Sequence, residues 1–547
     1  MRQTRLVFRL IVIALMVSAL LVIVTAPAAL GQGYGQYLPP NHINPHGLSQ
    51  GAQGWWFGPA LPPNGKLPKR PTTGPAVSGP NVDADNPNLD LAPGQSETAI
   101  AASKNLVLEA WNDASTFFIS PSTDPQASGT GVGFSSDGAQ TFTDLLGLPN
   151  TNPNQKWSGE PSVVSVGFGE TVGSGPYFIV SSIYASVFPY DCSNGPAQNA
   201  IAVSVATVTS TTVQFTPPII AATGGDACSV EGQTAYLDKD FMTYDPRTRT
   251  LAITYSRFTF NGYGTGQPEV VTAQLPNSPT LLNSGSFSAP VMIWPEESVY
   301  ENQGVYPALA YNAATGKDDI YVTWERNWYT NQFDGDPYVY LQAAMIPVGA
   351  SGPTIGSPSS PVVVTLGQLN SVNGGVKSLD LVPVTGFNGT SNDFPRIAWD
   401  GTLNVAVIVW NDASNHPLGD IFMRAYTPSF AKSSPIEKVN DDNTGALHMF
   451  PAVCVESGGL IVTSWYDRRN FTPGSASTDY YGEVRSTPGV NGTDFKITTK
   501  SSNWLNDSSA MSPNFGDYTD NSCAGDTPFF TWSDGRLGIP QPFVANN

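Results

Sequence analysis

The sequence predicts an all-β protein of small antiparallel sheets repeated around an axis, a β-propeller. Three observations predict it. Gly (53) and Pro (47) are abundant in the 547 residues, as are Thr, Ser, Asn and aromatics, while helix formers are scarce; that composition suits short strands joined by many turns. A unit of apolar strand, turn and second strand ending in an aromatic and a polar or charged pair recurs seven times, at intervals of roughly 70 residues. Finally, the stretch 133–142 reads as a hairpin, with an apolar strand end, the turn Ser135-Ser136-Asp137-Gly138-Ala139-Gln140 and a restart at Thr141-Phe142. An Asp opening such a turn accepts hydrogen bonds from the following backbone N–H groups.

The chain opens on an export signal. Arg2, Arg5 and Arg9 precede the apolar run 10–24, and Ala26-Pro27-Ala28 offers small residues for cleavage. A signal peptide over 1–30 follows; an uncleaved anchor is the other reading. No Cys closely follows the run, and no second apolar segment is long enough to span a bilayer. Residues 31–95 are rich in Gly, Pro, Asn and Gln and read as an extended or partly disordered leader. Within it, Trp55-Trp56-Phe57 can dock on the domain or pair as a closing strand. Asp83, Asp85, Asn86, Asn88 and Asp90 crowd one short run whose oxygens suit calcium. The spacing lacks the full calcium-loop pattern, so a solvated loop without metal is the expectation.

The propeller is expected over 96–547. Second strands are expected at 106–111, 177–184, 251–255, 320–324, 405–410, 460–465 and 528–532. Tails follow six of them, among them Trp111-Asn112-Asp113, Trp324-Glu325-Arg326, Trp410-Asn411-Asp412, Trp465-Tyr466-Asp467-Arg468 and Trp532-Ser533-Asp534-Gly535-Arg536. First strands match too, as in Phe394-Pro395-Arg396 and Phe450-Pro451-Ala452. Seven units give seven four-stranded blades; six is the alternative, with one unit a decorated loop. The last unit is short, so a strand from the N-terminal side is expected to close the ring. Export permits disulfides. Cys454 and Cys523 hold similar positions in adjacent units and are expected to pair, leaving Cys192 with Cys228. His42, His46, His416 and His448 are too scattered in sequence to suggest a ligand set.

The Ser135, Asp137, Gly138, Thr141, Phe142 pattern resembles the Asp-box of the bacterial neuraminidase repeat, with Ala139 where that pattern usually has Gly. The repeat region thus looks like a secreted sialidase-like propeller. The resemblance implies a site of three arginines clamping a carboxylate, a Tyr nucleophile activated by a Glu, and an Asp acid/base. Carried over by position, Tyr518 is the nucleophile, Arg396, Arg468 and Arg536 the clamp, Glu160, Glu231 or Glu325 the partner and Asp113 the acid. One departure stands out: no Arg lies between Arg70 and Arg247, across the first two units. The bland reading makes Tyr518 a packed aromatic and the Trp-x-Asp-x-Arg tails repeated structural ion pairs.

The net charge of −19, with only 25 Lys plus Arg, excludes nucleic acid and anionic membranes as partners. The expectation is a secreted or cell-surface, non-catalytic propeller that binds carbohydrate or an extracellular protein. A sialidase-type glycoside hydrolase is the alternative. No cofactor is implied, calcium aside.

Overall fold

A computed structural model describes the chain from residue 81 to 546. Outside the description lie 167–176, 187–197, 227–234, 260–264, 329–337, 350–353, 369–383, a few shorter stretches, and all of 1–80. The signal peptide, most of the leader, the Trp55 triplet, Glu231 and the Cys192 with Cys228 pairing therefore fall outside it.

Seven antiparallel sheets follow one another along the chain. Blade 1 runs Gln95–Ser103, Leu106–Asp113, Thr130–Ser135 and Thr143–Gly147, from the axis outward. Blades 3, 4 and 5 repeat that order, opening on Ala235–Asp245, Tyr300–Asn312 and Arg396–Asp400. In blade 2 the inner strand is broken into Gln155–Trp157 and Ser162–Val166, both paired to Tyr177–Ser186. Blade 6 opens on His448–Val455 and carries one extra short strand, Ser502–Asn503. Each expected second strand is the second strand of its own sheet, so the count is seven.

The ring closes as the short last unit requires. Blade 7 has only Asp520–Ala524, Thr527–Asp534 and Gln541–Asn546 from the C-terminal end. Its outer strand is Val82–Asp83, with Val82 opposite Val544 and Asp83 opposite Phe543. The closing strand thus comes from residues that composition alone assigns to the leader.

Each strand alternates its side chains between two neighbouring blades. In blade 5, Ala406, Ile408 and Trp410 pack towards blade 4, while Val405, Val407 and Val409 pack towards blade 6. Both faces are dry, which is why the second strands read as unbroken apolar runs. The blade-end tryptophans all face the preceding blade: Trp324 blade 3, Trp465 blade 5, Trp532 blade 6 and Trp111 blade 7. The Cys454–Cys523 bridge adds a covalent tie between blades 6 and 7.

The hairpin at Asp137 is present. Asp137 Oδ1 accepts from the backbone N–H of Gln140 and Thr141, each at 3.0 Å, and Oδ2 from the Thr141 hydroxyl at 2.6 Å. The Ser135 hydroxyl donates to Asp137 at 2.8 Å, and Phe142 packs between blades 1 and 7. Ala139 holds φ 63°, the left-handed conformation for which glycine is the usual choice.

Candidate functional site

Four inner strands begin with an irregular step, and these steps build the middle of the molecule. Register shifts fall between Ser96 and Ala99, Asp238 and Phe241, Gln303 and Tyr306, and Met449 and Ala452. At the step stand Glu97, Glu160, Lys239, Gly304 and Phe450, all at positive φ between 53° and 65°. Phe394 and Tyr518 hold the matching places in blades 5 and 7. Positive φ is uncommon for residues with a side chain, so its recurrence here records a constraint that local propensity opposes. Gly304 is required sterically: a Cβ there would sit 2.7 Å from the Phe394 ring of the next blade.

One residue per blade therefore reaches the axis, and the charged ones meet. Lys239 Nζ lies 3.3 Å from Glu160 Oε1 and 3.9 Å from Glu97 Oε1, and contacts Asp517. Lys239, Glu97 and Glu160 are wholly buried. Asn112 ties two blades together here. Its amide donates to Glu97 at 2.6 Å and its oxygen accepts the Glu160 backbone N–H at 2.7 Å. Asn411, at the same place in its tail, bonds Asp393 at 3.0 Å and accepts the Phe450 N–H at 2.9 Å. Burial pushes the Glu97 and Glu160 carboxyls up; their mutual closeness adds to the rise at Glu160, while the Lys239 ammonium opposes it at both. Burial pulls against the Lys239 ammonium, but Asp517, Glu160 and Glu97 hold it well above the usual lysine range.

A second layer sits against this ring. The buried Arg396 guanidinium lies over Phe241 at 4.4 Å, Tyr306 at 4.6 Å and Tyr518 at 5.2 Å. Burial pushes the Asp520 carboxyl to about 6, with the Arg396 charge opposing. The buried Tyr518 hydroxyl donates to the Pro161 carbonyl at 3.2 Å. Burial, then the charges of Glu160 and Glu97, pushes its phenol well above the usual range.

The structure therefore brings Tyr518, Glu160 and Arg396 together and leaves the other candidates elsewhere. Arg536 pairs with Asp534 at 2.7 Å, and Asp534 also accepts the Trp532 indole N–H at 2.7 Å. Arg469 repeats this with Asp467 at 2.7 Å and Trp465 at 2.9 Å, so the Trp-x-Asp-x-Arg tails are structural triads. Arg468 is one residue out of that register. It bonds Thr478 and the Ser475 and Thr385 carbonyls and stacks on Trp504 at 4.8 Å. Glu325 accepts the Asp393 N–H at 2.8 Å, and Asp113 sits in blade 1, bonded to Gln95 and Ser115.

Sequence distance misled for the histidines, because neighbouring blades bring His416 and His448 to 6.4 Å between ring centroids, with Asp420 beside both. His448 Nε2 lies 3.0 Å from Asp442 and 3.3 Å from Asp467, and Nδ1 lies 3.0 Å from the Gly419 carbonyl. With an acceptor at each nitrogen, it is a buried imidazolium.

On the opposite face, the hairpin turns of blades 3 and 4 frame an open hollow of ≈ 700 Å³. Arg247, Arg249, Gln274, Tyr311 and Lys317 line it, and the exposed Tyr311 ring lies 4.9 Å from the Arg247 guanidinium. Among the described residues no helix is long and apolar enough to cross a membrane.

The chain matches no protein-family model and no curated protein. Among solved structures it is similar to a GH93 α-L-arabinofuranosidase of Fusarium graminearum in complex with arabinobiose, at 11% identity and TM-score 0.42, covering 87% of this chain and 98% of that one. A Penicillium chrysogenum α-L-arabinanase gives 11%, 87% and 98%, with TM-score 0.39. A Hadza microbial sialidase gives 11%, 76% and 73%, with TM-score 0.38. At that distance the likeness decides nothing about activity; the propeller is read from this chain's own sheets.

Proposed function

We propose that this chain is a non-catalytic β-propeller, exported on its N-terminal signal, that binds carbohydrate or an extracellular protein. The observation that carries the reading is the state of Tyr518. A phenol acts as a nucleophile only when a base or a lowered pKa activates it. Here the hydroxyl is buried, donates to a backbone carbonyl and is pushed away from ionisation. The clamp is incomplete as well, since Arg468 and Arg536 are engaged in structural bonds with other partners. The hollow between blades 3 and 4 offers an exposed ring beside cationic donors, the combination that holds a sugar face and its hydroxyl or carboxylate groups.

The hydrolase reading keeps one supporting observation. Tyr518, Glu160 and Arg396 share the channel, and a buried carboxyl with a raised pKa suits a general acid. One experiment separates the two. Wild type is assayed on fluorogenic sialoside and arabinofuranoside, beside Tyr518→Phe and Glu160→Gln, and glycan-array binding is compared for wild type and Tyr311→Ala. No turnover, with array binding lost in Tyr311→Ala, supports the binder. Turnover lost in Tyr518→Phe and Glu160→Gln makes the chain a hydrolase.

A further inference from the structure

We infer that the hollow between blades 3 and 4 takes an acidic polysaccharide, with Arg249 and Lys317 selecting its anionic groups. The inference rests on the carbohydrate-binding reading above and names the class of carbohydrate. The chain carries 44 Asp plus Glu against 25 Lys plus Arg, yet three cations and no carboxylate line this space. The turns at the same place in blades 5, 6 and 7, between first and second strands, have the opposite sign. They carry Asp400, Glu456 and Asp526 and no Lys or Arg.

The carboxylates nearby are already engaged. Asp245 is buried and takes the Arg247 guanidinium at 2.7 Å. Asp318 is buried and accepts the Thr248 hydroxyl, and Asp319 accepts the Asn312 amide at 2.9 Å. Arg249 is placed differently. Its guanidinium donates to the Asn277 side-chain oxygen and to the Leu275 carbonyl. Both acceptors are neutral, so they aim the fork without answering its charge. Neither Arg249 nor Lys317 has a carboxylate partner among the described residues. Arg249 also holds φ 59°, the left-handed region where Gly or Asn is the easier residue. The hairpin turn keeps it there, the Arg249 N–H donating to the Asp245 carbonyl at 2.7 Å. A long cation thus stands where the local backbone would favour a small residue.

Two unanswered cations in one concave space suit an anion, and the third wall says of what kind. Arg247 lies 4.9 Å from the Tyr311 ring, and 39% of Tyr311 is still exposed. That leaves aromatic surface of the sort on which the apolar face of a sugar ring packs. At ≈ 700 Å³ and open, the hollow admits an internal stretch of a long chain as well as its end. A uronate carboxylate and a sugar sulfate offer the same chemistry here, oxygens that accept charge-assisted bonds from guanidinium and ammonium. The net charge of −19 opposes a polyanion at long range. At physiological salt, charges more than ~8 Å apart are largely screened while contact pairs are not, so the lining of the hollow decides.

The test is calorimetric titration of the full secreted chain at physiological salt with polygalacturonate, dextran sulfate, neutral galactan and poly-glutamate. Lys317→Gln and Arg249→Asn are run beside wild type. Asparagine tolerates the left-handed backbone, so Arg249→Asn should keep the wild-type Tm. We expect wild type to bind polygalacturonate or dextran sulfate about tenfold tighter than galactan, and each variant to lose about tenfold. The two acidic chains show whether carboxylate or sulfate is the group. Galactan bound as tightly as the acidic chains overturns the inference and leaves the carbohydrate-binding reading standing. Poly-glutamate bound as tightly overturns it too, since charge alone would then be recognised. So does acidic binding unchanged in both variants, which places the site elsewhere. Binding of none of the four overturns the inference; the carbohydrate reading falls with it only if the glycan array is silent as well.

Discussion

The buried imidazolium of His448 makes a stability prediction with a worked size. Burial alone would favour the neutral ring. The carboxylates of Asp442 and Asp467 outweigh it and hold the ring at about 10, against 6.5 ordinarily. A group whose folded pKa is raised contributes stability that is complete below its unfolded pKa and is lost as pH climbs through its folded one. The window is therefore pH 6.5 to 10, and the contribution at pH 7 is about 4 kcal/mol, falling below about 1 kcal/mol at pH 10. That figure is an order of magnitude, because the ring sits among several other charges. They are Asp442 and Asp467, Asp420 with His416 and Lys438 beside it, and Arg469, which also holds Asp441 and Asp494. The perturbation is His448→Gln, and the assay is the thermal midpoint of both proteins from pH 6 to 10. Wild type should lead by roughly 4 °C at pH 7 and the curves should converge near pH 10. Tyrosines and lysines titrate in both proteins, so the difference isolates His448. Curves that stay parallel across the window would refute the reasoning.

Three further outcomes are expected. Lys239→Met leaves Glu97, Glu160 and Asp517 without their cation and should cost about 3–5 kcal/mol at pH 8. The deficit should shrink at pH 5, where the raised carboxyls of Glu97 and Glu160 take up protons, as denaturation at the two pH values will read. Gly304→Ala forces a methyl against the Phe394 ring from a backbone at φ 65°, and should lower stability by about 1–3 kcal/mol in urea titration. Opening the Cys454–Cys523 bridge, which spans 69 residues, should cost up to about 4 kcal/mol. The Cys454→Ser, Cys523→Ser double variant should melt below wild type, and dithiothreitol should lower the wild-type Tm by more than that of the double variant.

Much of the architecture was legible in the chain because it is written locally. Trp410 and Trp465 stand two residues before the ends of their strands, and the last residue receives the indole N–H, so the repeat marks both packing and hydrogen bonding. The pairing of Cys454 with Cys523 followed from equal positions in adjacent units, a relation that repetition makes visible. The site was legible only in part. Arg536 carries the right side chain for a clamp, yet Asp534 two residues before it already takes its charge. Positive φ at Glu97, Glu160 and Lys239 leaves no mark in composition, although the recurring Phe-Pro step at Phe394 and Phe450 was a trace of it.

By itself the sequence determined the all-β class, the seven units, the N-terminal closing strand and the acidic surface, since each follows from local periodicity, turn chemistry or a sum of charges. The tertiary structure decided what meets at the axis and at the seam. Lys239 finds Glu97, Glu160 and Asp517, and Val82 finds Val544, because a closed ring brings together residues far apart in sequence. Burial then settles their chemistry: charges that water would screen in an open chain must, inside the ring, neutralise one another, take up protons or hold an ion.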